Sequence, residues 1–92
     1  MALLNDEEIR ARLDDLQGWT REGDVIRKTY TFDSFLDAIE FVNRIAGRAE
    51  AANHHPDIDI RYDRVACALS THSEGGLTAK DFDLAAEIDE VR

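Results

Sequence analysis

A helical apolar pattern that stops just before the chain's only proline is the feature that most limits how this sequence can fold. Phe35, Ile39, Val42, Ala46 and Ala49 recur at the spacing of one helix face, a stripe that Asp33 or Ser34 can open with a cap. Phe41 and Ile45 widen the stripe beyond what one face of a small sheet requires. Gly47 costs about 1 kcal/mol relative to alanine inside a helix, which points to close approach by another element or subunit. Asn53 tolerates the left-handed conformation found at helix ends. Pro56 then pushes His55 toward an extended backbone. Beyond it, Ile58, Ile60 and Tyr62 alternate with Asp57, Asp59 and Arg61, the period of a strand with one wet face.

The same switch of period occurs earlier and later in the chain. Asn5 with Glu8 has capping-box spacing, Leu4 and Ile9 that of a hydrophobic staple, and Ile9, Leu13 and Leu16 predict a short helix ending at Gly18. Trp19 to Phe32 reads as a hairpin turning at Glu22, Gly23 and Asp24, with Ile26, Tyr30 and Phe32 on one face. After a turn at Asp63 and Arg64, Val65, Cys67 and Leu69 form a further strand. Thr78 and Asp81 have capping-box spacing ahead of a helix carried by Phe82, Ala85, Ile88 or Ala86, and Val91. The order is helix, two strands, helix, two strands, helix. It predicts an α+β two-layer sandwich, a four-stranded antiparallel sheet with the helices packed on one face, over a single domain spanning 1–92.

Ninety-two residues bury roughly 60 to 65% of the unfolded surface, so self-association would help this chain. Twenty acids against 11 bases give a net charge of −9, which disfavours direct nucleic-acid binding. No stretch approaches the roughly 20 apolar residues of a membrane span, and the acidic start lacks a signal-peptide pattern. A cytoplasmic location is the default expectation. The single cysteine, Cys67, reads as a small buried apolar residue.

The segment from Glu50 to Asp81 holds all three histidines and two acids able to reach them. Histidine both donates and accepts protons near neutrality, so His54, His55 and His72 could divide donation, acceptance and ligand hydrogen bonding. A carboxylate beside an imidazole fixes its tautomer and raises its basicity, the use expected of Glu50 and Asp81. Glu50, about one turn before His54, can approach that imidazole. Each residue also has an ordinary reading taken singly. Adjacent histidines at a helix end are commonly exposed polar groups, Asp81 caps a helix, and Trp19 is either core or the stacking wall for a flat ligand. Zinc is a rival, although adjacent side chains on an extended segment point apart and would not readily chelate one ion.

Glu50, three residues, His54-His55-Pro56, five residues, Tyr62, nine residues, His72, eight residues and Asp81 resemble the signature of the pterin-4a-carbinolamine dehydratases. Gly18-Trp19, Ser70-Thr71-His72, Gly76-Leu77 and Leu84-Ala85 extend the resemblance over nearly the whole chain. It implies a dehydratase that removes water from a 4a-hydroxytetrahydropterin, giving the quinonoid dihydropterin after an aromatic amino acid hydroxylase has acted. It further implies His54 and His72 as proton carriers, and His55 as a pterin ligand that also helps deprotonate the ring. Glu50 and Asp81 support them, and Trp19, Pro56, Ser70 and Thr71 join His55 around the substrate, with no metal and no organic cofactor. Dimers joined edge to edge and tetramers paired through the long helix are the implied assemblies. The resemblance also raises a second function, a non-catalytic dimerisation or assembly module, since family members partner a homeodomain transcription factor or act in protein assembly. Ile58 departs from the pattern, because animal members carry an aromatic residue shortly after the proline.

Overall fold

The computed structural model describes residues 2–92. Helix α1, Asp6–Asp14, starts at the expected capping box: Glu8 N–H donates to Asn5 Oδ1 and Asn5 N–H to Glu8 Oε1, both at 2.9 Å. Strands β1 (Thr20–Glu22) and β2 (Val25–Thr31) pair with Glu22 opposite Val25, so Gly23 and Asp24 alone make the turn. Gly23 has φ 60°, the conformation that a two-residue hairpin demands at its first central position. Helix α2 runs Phe35–Ala52 behind the Ser34 cap. Strands β3 (Asp57–Arg61) and β4 (Arg64–Leu69) form the second hairpin, and helix α3 spans Ala79–Val91.

All strand pairs are antiparallel, in the spatial order β1-β2-β4-β3. The alternation places Ile26 and Tyr30 of β2 and Val65, Cys67 and Leu69 of β4 on the covered face, all essentially inaccessible. Arg27, Thr29, Asp57, Asp59 and Arg61 remain exposed. Phe41 of α2 packs its ring 4.7 Å from Tyr30 and 4.9 Å from Phe32, while Phe82, Leu84, Ala85 and Ile88 of α3 complete the core. This is the α+β sandwich in the order the periodicity predicts. Among the described residues no helix is long and apolar enough to cross a membrane.

Three expectations shift. On α2 the buried face is Ala38, Phe41, Ile45 and Ala49, so the residues expected to broaden the stripe are its centre. Phe35 is 47% exposed, Ala46 is exposed, and Ile39 and Val42 are half-buried. Two apolar stripes share this helix, and periodicity cannot say which one meets the sheet. The large Phe41 ring, which fills the space beside Tyr30, decides it. Gly47 is exposed and a Cβ there would meet nothing within 4 Å, so among the described residues no other element approaches it. In the second hairpin Arg61 pairs with Arg64, which moves Tyr62 from the strand into the turn, 72% exposed with φ 54°.

At the far end of α3, Asp89 gathers three donors from the first half of the chain. Lys28 Nζ lies 2.8 Å from it, Trp19 Nε1–H reaches it at 3.2 Å, and the Tyr30 hydroxyl donates to the same oxygen as Lys28. Burial and this carboxylate together push the Tyr30 hydroxyl far above its usual range. Burial, and more weakly Asp89, also push the Cys67 thiol up to about 12. Native protein at pH 8 is therefore expected to resist a thiol-specific reagent such as Ellman's, with about one thiol appearing only after denaturation. Stoichiometric reaction without denaturant would contradict the burial.

Candidate active site

The site begins where α2 ends. Asn53 takes the left-handed conformation, φ 49° and ψ 43°, and its N–H reaches back to Glu50 O at 3.2 Å. His54 N–H reaches one residue further back along the helix, to Ala49 O at 3.1 Å. These two bonds are the Schellman closure of a helix, and they set the direction in which the chain leaves it. The extended segment imposed by Pro56 then sends successive side chains to opposite sides. His54 turns inward and is buried; His55 turns outward and is exposed.

Inward, His54 Nε2 lies 2.6 Å from Oδ1 of Asp81, a carboxylate with 0% exposure in the first turn of α3. The other oxygen, Oδ2, accepts from the Thr71 hydroxyl at 2.8 Å and from Thr78 N–H at 2.9 Å. The two threonine hydroxyls lie 2.8 Å apart, and Lys80 N–H donates to Thr78 Oγ1 at 3.3 Å. Asp81 thus closes the capping box of α3 and receives His54 with the same carboxylate. A buried polar group is tolerated when it is hydrogen-bonded in this way.

Outward, His55 Nε2 pairs with the Glu50 carboxylate, both side chains being exposed. The expectation had Glu50 approaching His54. The left-handed turn at Asn53 instead swings His54 beneath the helix end and leaves His55 over the last turn, where Glu50 stands. The adjacent imidazoles therefore engage different carboxylates on different elements.

His72 opens a single 3-10 turn, His72–Glu74, that leaves the end of β4 through Ser70 and Thr71. An isolated bridge between Thr71 and Gly76 closes this loop. His72 is exposed, and its neighbour Thr71 is the residue that donates to Asp81, so the backbone of His72 is one residue from the network holding His54. Ser70 and Pro56 are half-buried at the same end of the sheet. Trp19 is elsewhere: it is 5% exposed and bonded to Asp89, eight residues beyond Asp81 on α3, which is about 12 Å at the helical rise. Helix end, strand end and helix start thus converge on one edge of the sheet, with the indole outside that convergence.

Comparison with known proteins identifies the family. The family model described as pterin 4 alpha carbinolamine dehydratase matches residues 2–91. The chain belongs to the pterin-4a-carbinolamine dehydratase family. A relative from Roseiflexus castenholzii is 64% identical over 90 residues, covering 98% of this chain and 97% of its own. One from Mycobacteroides abscessus is 61% identical over 89 residues, covering 97% and 95%. Both carry the name pterin-4-alpha-carbinolamine dehydratase as a provisional one. The crystal structure of a transcriptional coactivator/pterin dehydratase from Brucella melitensis superposes with a TM-score of 0.92 at 32% identity, over 96% of each chain. A pterin dehydratase-like protein described as a RuBisCO assembly factor of the alpha-carboxysome shares the fold at a TM-score of 0.67 and 20% identity, over 79% and 84% of the two chains.

Within this dehydratase-family framework, sequence reasoning missed Thr78 as a member of the site. Its signal was present: a capping residue whose box partner is Asp81 must place its own hydroxyl and N–H beside that carboxylate.

Proposed function

We propose that this protein is a hydro-lyase that removes water from a 4a-hydroxytetrahydropterin and releases the quinonoid dihydropterin. One observation carries the reading: a buried imidazole held by a fully satisfied carboxylate, His54 on Asp81, at the sheet edge that also presents His55 with Glu50, and His72. The chemistry needs a proton placed on the departing hydroxyl as its C–O bond breaks, and one taken from the neighbouring ring nitrogen as the new double bond forms. Groups that titrate near neutrality suit both transfers. In this reading His54 and His72 carry the protons, while His55 binds the pterin and helps deprotonate its ring. Pro56 and Ser70 border the same edge. No step calls on a metal or organic cofactor. The reaction would follow an aromatic amino acid hydroxylase, recycling the tetrahydropterin in the cytoplasm.

The test is the ultraviolet decay of freshly generated 4a-hydroxytetrahydropterin with wild-type protein and with His55→Ala. Acceleration by the wild type and its loss in the variant is the expected result. Failure of folded wild-type protein to accelerate the decay would turn attention to a protein-binding module.

A separate observation favours assembly alongside catalysis. Leu36 is 70% exposed on α2, next to Phe35, and 35, 39, 42 and 46 follow the alternating four- and three-residue spacing of a helix-pairing seam. In this reading a second copy covers the stripe, the long-helix pairing that would join edge-to-edge homodimers into a homotetramer. The Brucella melitensis relative, described as coactivator as well as dehydratase, is consistent with a partner-binding role. Leu36→Glu is expected to lower the sedimentation coefficient to that of a smaller species while circular dichroism stays unchanged. An unchanged coefficient would remove this face from the assembly.

A further inference from the structure

Thr71 was expected from sequence as a substrate contact, yet its hydroxyl is engaged twice inside the protein and the residue is 5% exposed. We propose that Thr71 is instead a positioning residue: with Thr78 it fixes the proton of His54 on Nε2, so that Nδ1 is the atom with which His54 meets the reacting molecule. The assignment of a reacting molecule rests on the dehydratase reading above; the assignment of the proton does not.

The direction of each hydrogen bond follows from what each group can give. Lys80 N–H and Thr78 N–H are donors only, directed at Thr78 Oγ1 and Asp81 Oδ2. Thr78 is 0% exposed, so its hydroxyl proton has one acceptor in reach, Thr71 Oγ1 at 2.8 Å. Thr71, having accepted that proton, must donate its own, and its remaining neighbour is Asp81 Oδ2 at 2.8 Å. The chain therefore runs one way, from Lys80 N–H through Thr78 and Thr71 into the carboxylate. Reversing it would require a proton on Oδ2 and would strand the Thr78 hydroxyl proton in a dry interior, at the cost of an unmade buried hydrogen bond.

Asp81 Oδ2 is thus filled by two donors, and Oδ1 is left facing His54 Nε2 at 2.6 Å. A carboxylate is intrinsically the weaker base of such a pair, and Oδ1 is an acceptor aimed at Nε2. The shared proton therefore sits on Nε2. In neutral His54 this leaves the lone pair on Nδ1. Among the described residues no buried side-chain nitrogen or oxygen lacks a partner, and Nδ1 has none within the protein, so it is reached from outside. His54 thereby gives or takes protons through Nδ1, and Asp81 never needs to release one.

The decisive experiment is nitrogen-15 NMR of histidine-labelled wild-type protein at a pH where histidine is neutral, with the His54 signals identified by their loss in His54→Gln. A protonated Nε2 and a pyridine-type Nδ1 are expected. A protonated Nδ1 with a pyridine-type Nε2 would overturn the proposal whatever the activity. Kinetics supply the second arm. Thr71→Val is expected to lower kcat about tenfold to a hundredfold with KM within about twofold, as for other residues that orient a functional side chain through a ligand or base. Thr71→Ser, which keeps the hydroxyl, is expected to restore most of kcat. A rise in KM at unchanged kcat would make Thr71 a substrate contact and overturn the proposal, as would a Thr71→Ser variant as slow as Thr71→Val. A wild type that holds the proton on Nε2 but accelerates no pterin dehydration would defeat the dehydratase reading while supporting the proton assignment.

Discussion

Asp81→Ala is expected to cost about 3 to 5 kcal/mol of folding stability. The change removes the acceptor for three buried donors at once: His54 Nε2–H, the Thr71 hydroxyl and Thr78 N–H. Each orphaned donor costs about 1 to 3 kcal/mol, less whatever water entering the cavity recovers. The capping box of α3 goes with them, worth about 1 kcal/mol. A domain of this size has a total stability on the order of 5 to 15 kcal/mol, so the variant would sit close to unfolding at ordinary temperature. Urea denaturation monitored by circular dichroism measures the loss as a lower midpoint at unchanged slope. Asp81→Asn separates fold from chemistry. The amide keeps the shape and one acceptor oxygen but presents N–H donors where acceptors stood, so either the Oδ2 pair of bonds or the His54 contact must be lost. A smaller stability loss than in Asp81→Ala, together with a severe fall in dehydratase activity, is the expected pattern. A stability loss within about 0.5 kcal/mol for Asp81→Ala, the range of ordinary surface changes, would show that the carboxylate is not the hub that the geometry makes it.

Local chemistry makes much of this site legible in the sequence. Asn53 could be placed in the left-handed region and Pro56 after it because both residues restrict the backbone on their own account, and the inward and outward alternation of His54 and His55 follows from an extended segment. The capping boxes at Asn5 and Thr78 were legible for the same reason, each being a contact across three residues. What could not be read depends on groups brought together from afar. Asp89 is 61 residues from Lys28 and 70 from Trp19, and no local pattern joins them. The choice of buried face on α2 turns on the fit of Phe41 against Tyr30 and Phe32, a packing question that two equally regular stripes leave open. Glu50 lies between these cases. Helical spacing put it near an imidazole, but only the reversal of direction at Asn53 decides that the partner is His55.

The three histidines are expected to divide into two classes when each is replaced by alanine. His55→Ala and His72→Ala remove exposed side chains. Folding stability is expected to change by no more than about 0.5 kcal/mol in either variant. His54→Ala differs, because it removes the donor to Oδ1 of the buried Asp81 carboxylate, and a loss of about 1 to 3 kcal/mol is expected. All three are expected to lower the rate of 4a-hydroxytetrahydropterin dehydration, by up to the 10²- to 10⁴-fold that a positioned acid or base typically contributes. The split between kcat and KM then identifies the roles. A proton carrier, the role proposed for His54 and His72, loses kcat with KM nearly unchanged, whereas a pterin ligand, the role proposed for His55, raises KM as well. His55 also carries an internal control. Its pairing with Glu50 is an exposed contact, worth no more than about 1 kcal/mol, so Glu50→Gln tests whether the carboxylate tunes the imidazole or merely neighbours it. If Glu50 acts through His55, its removal lowers the rate in wild-type protein and has no further effect in the His55→Ala background. Equal losses in the two backgrounds would show that Glu50 works independently of His55, and the pair would then be a surface contact with no part in proton transfer.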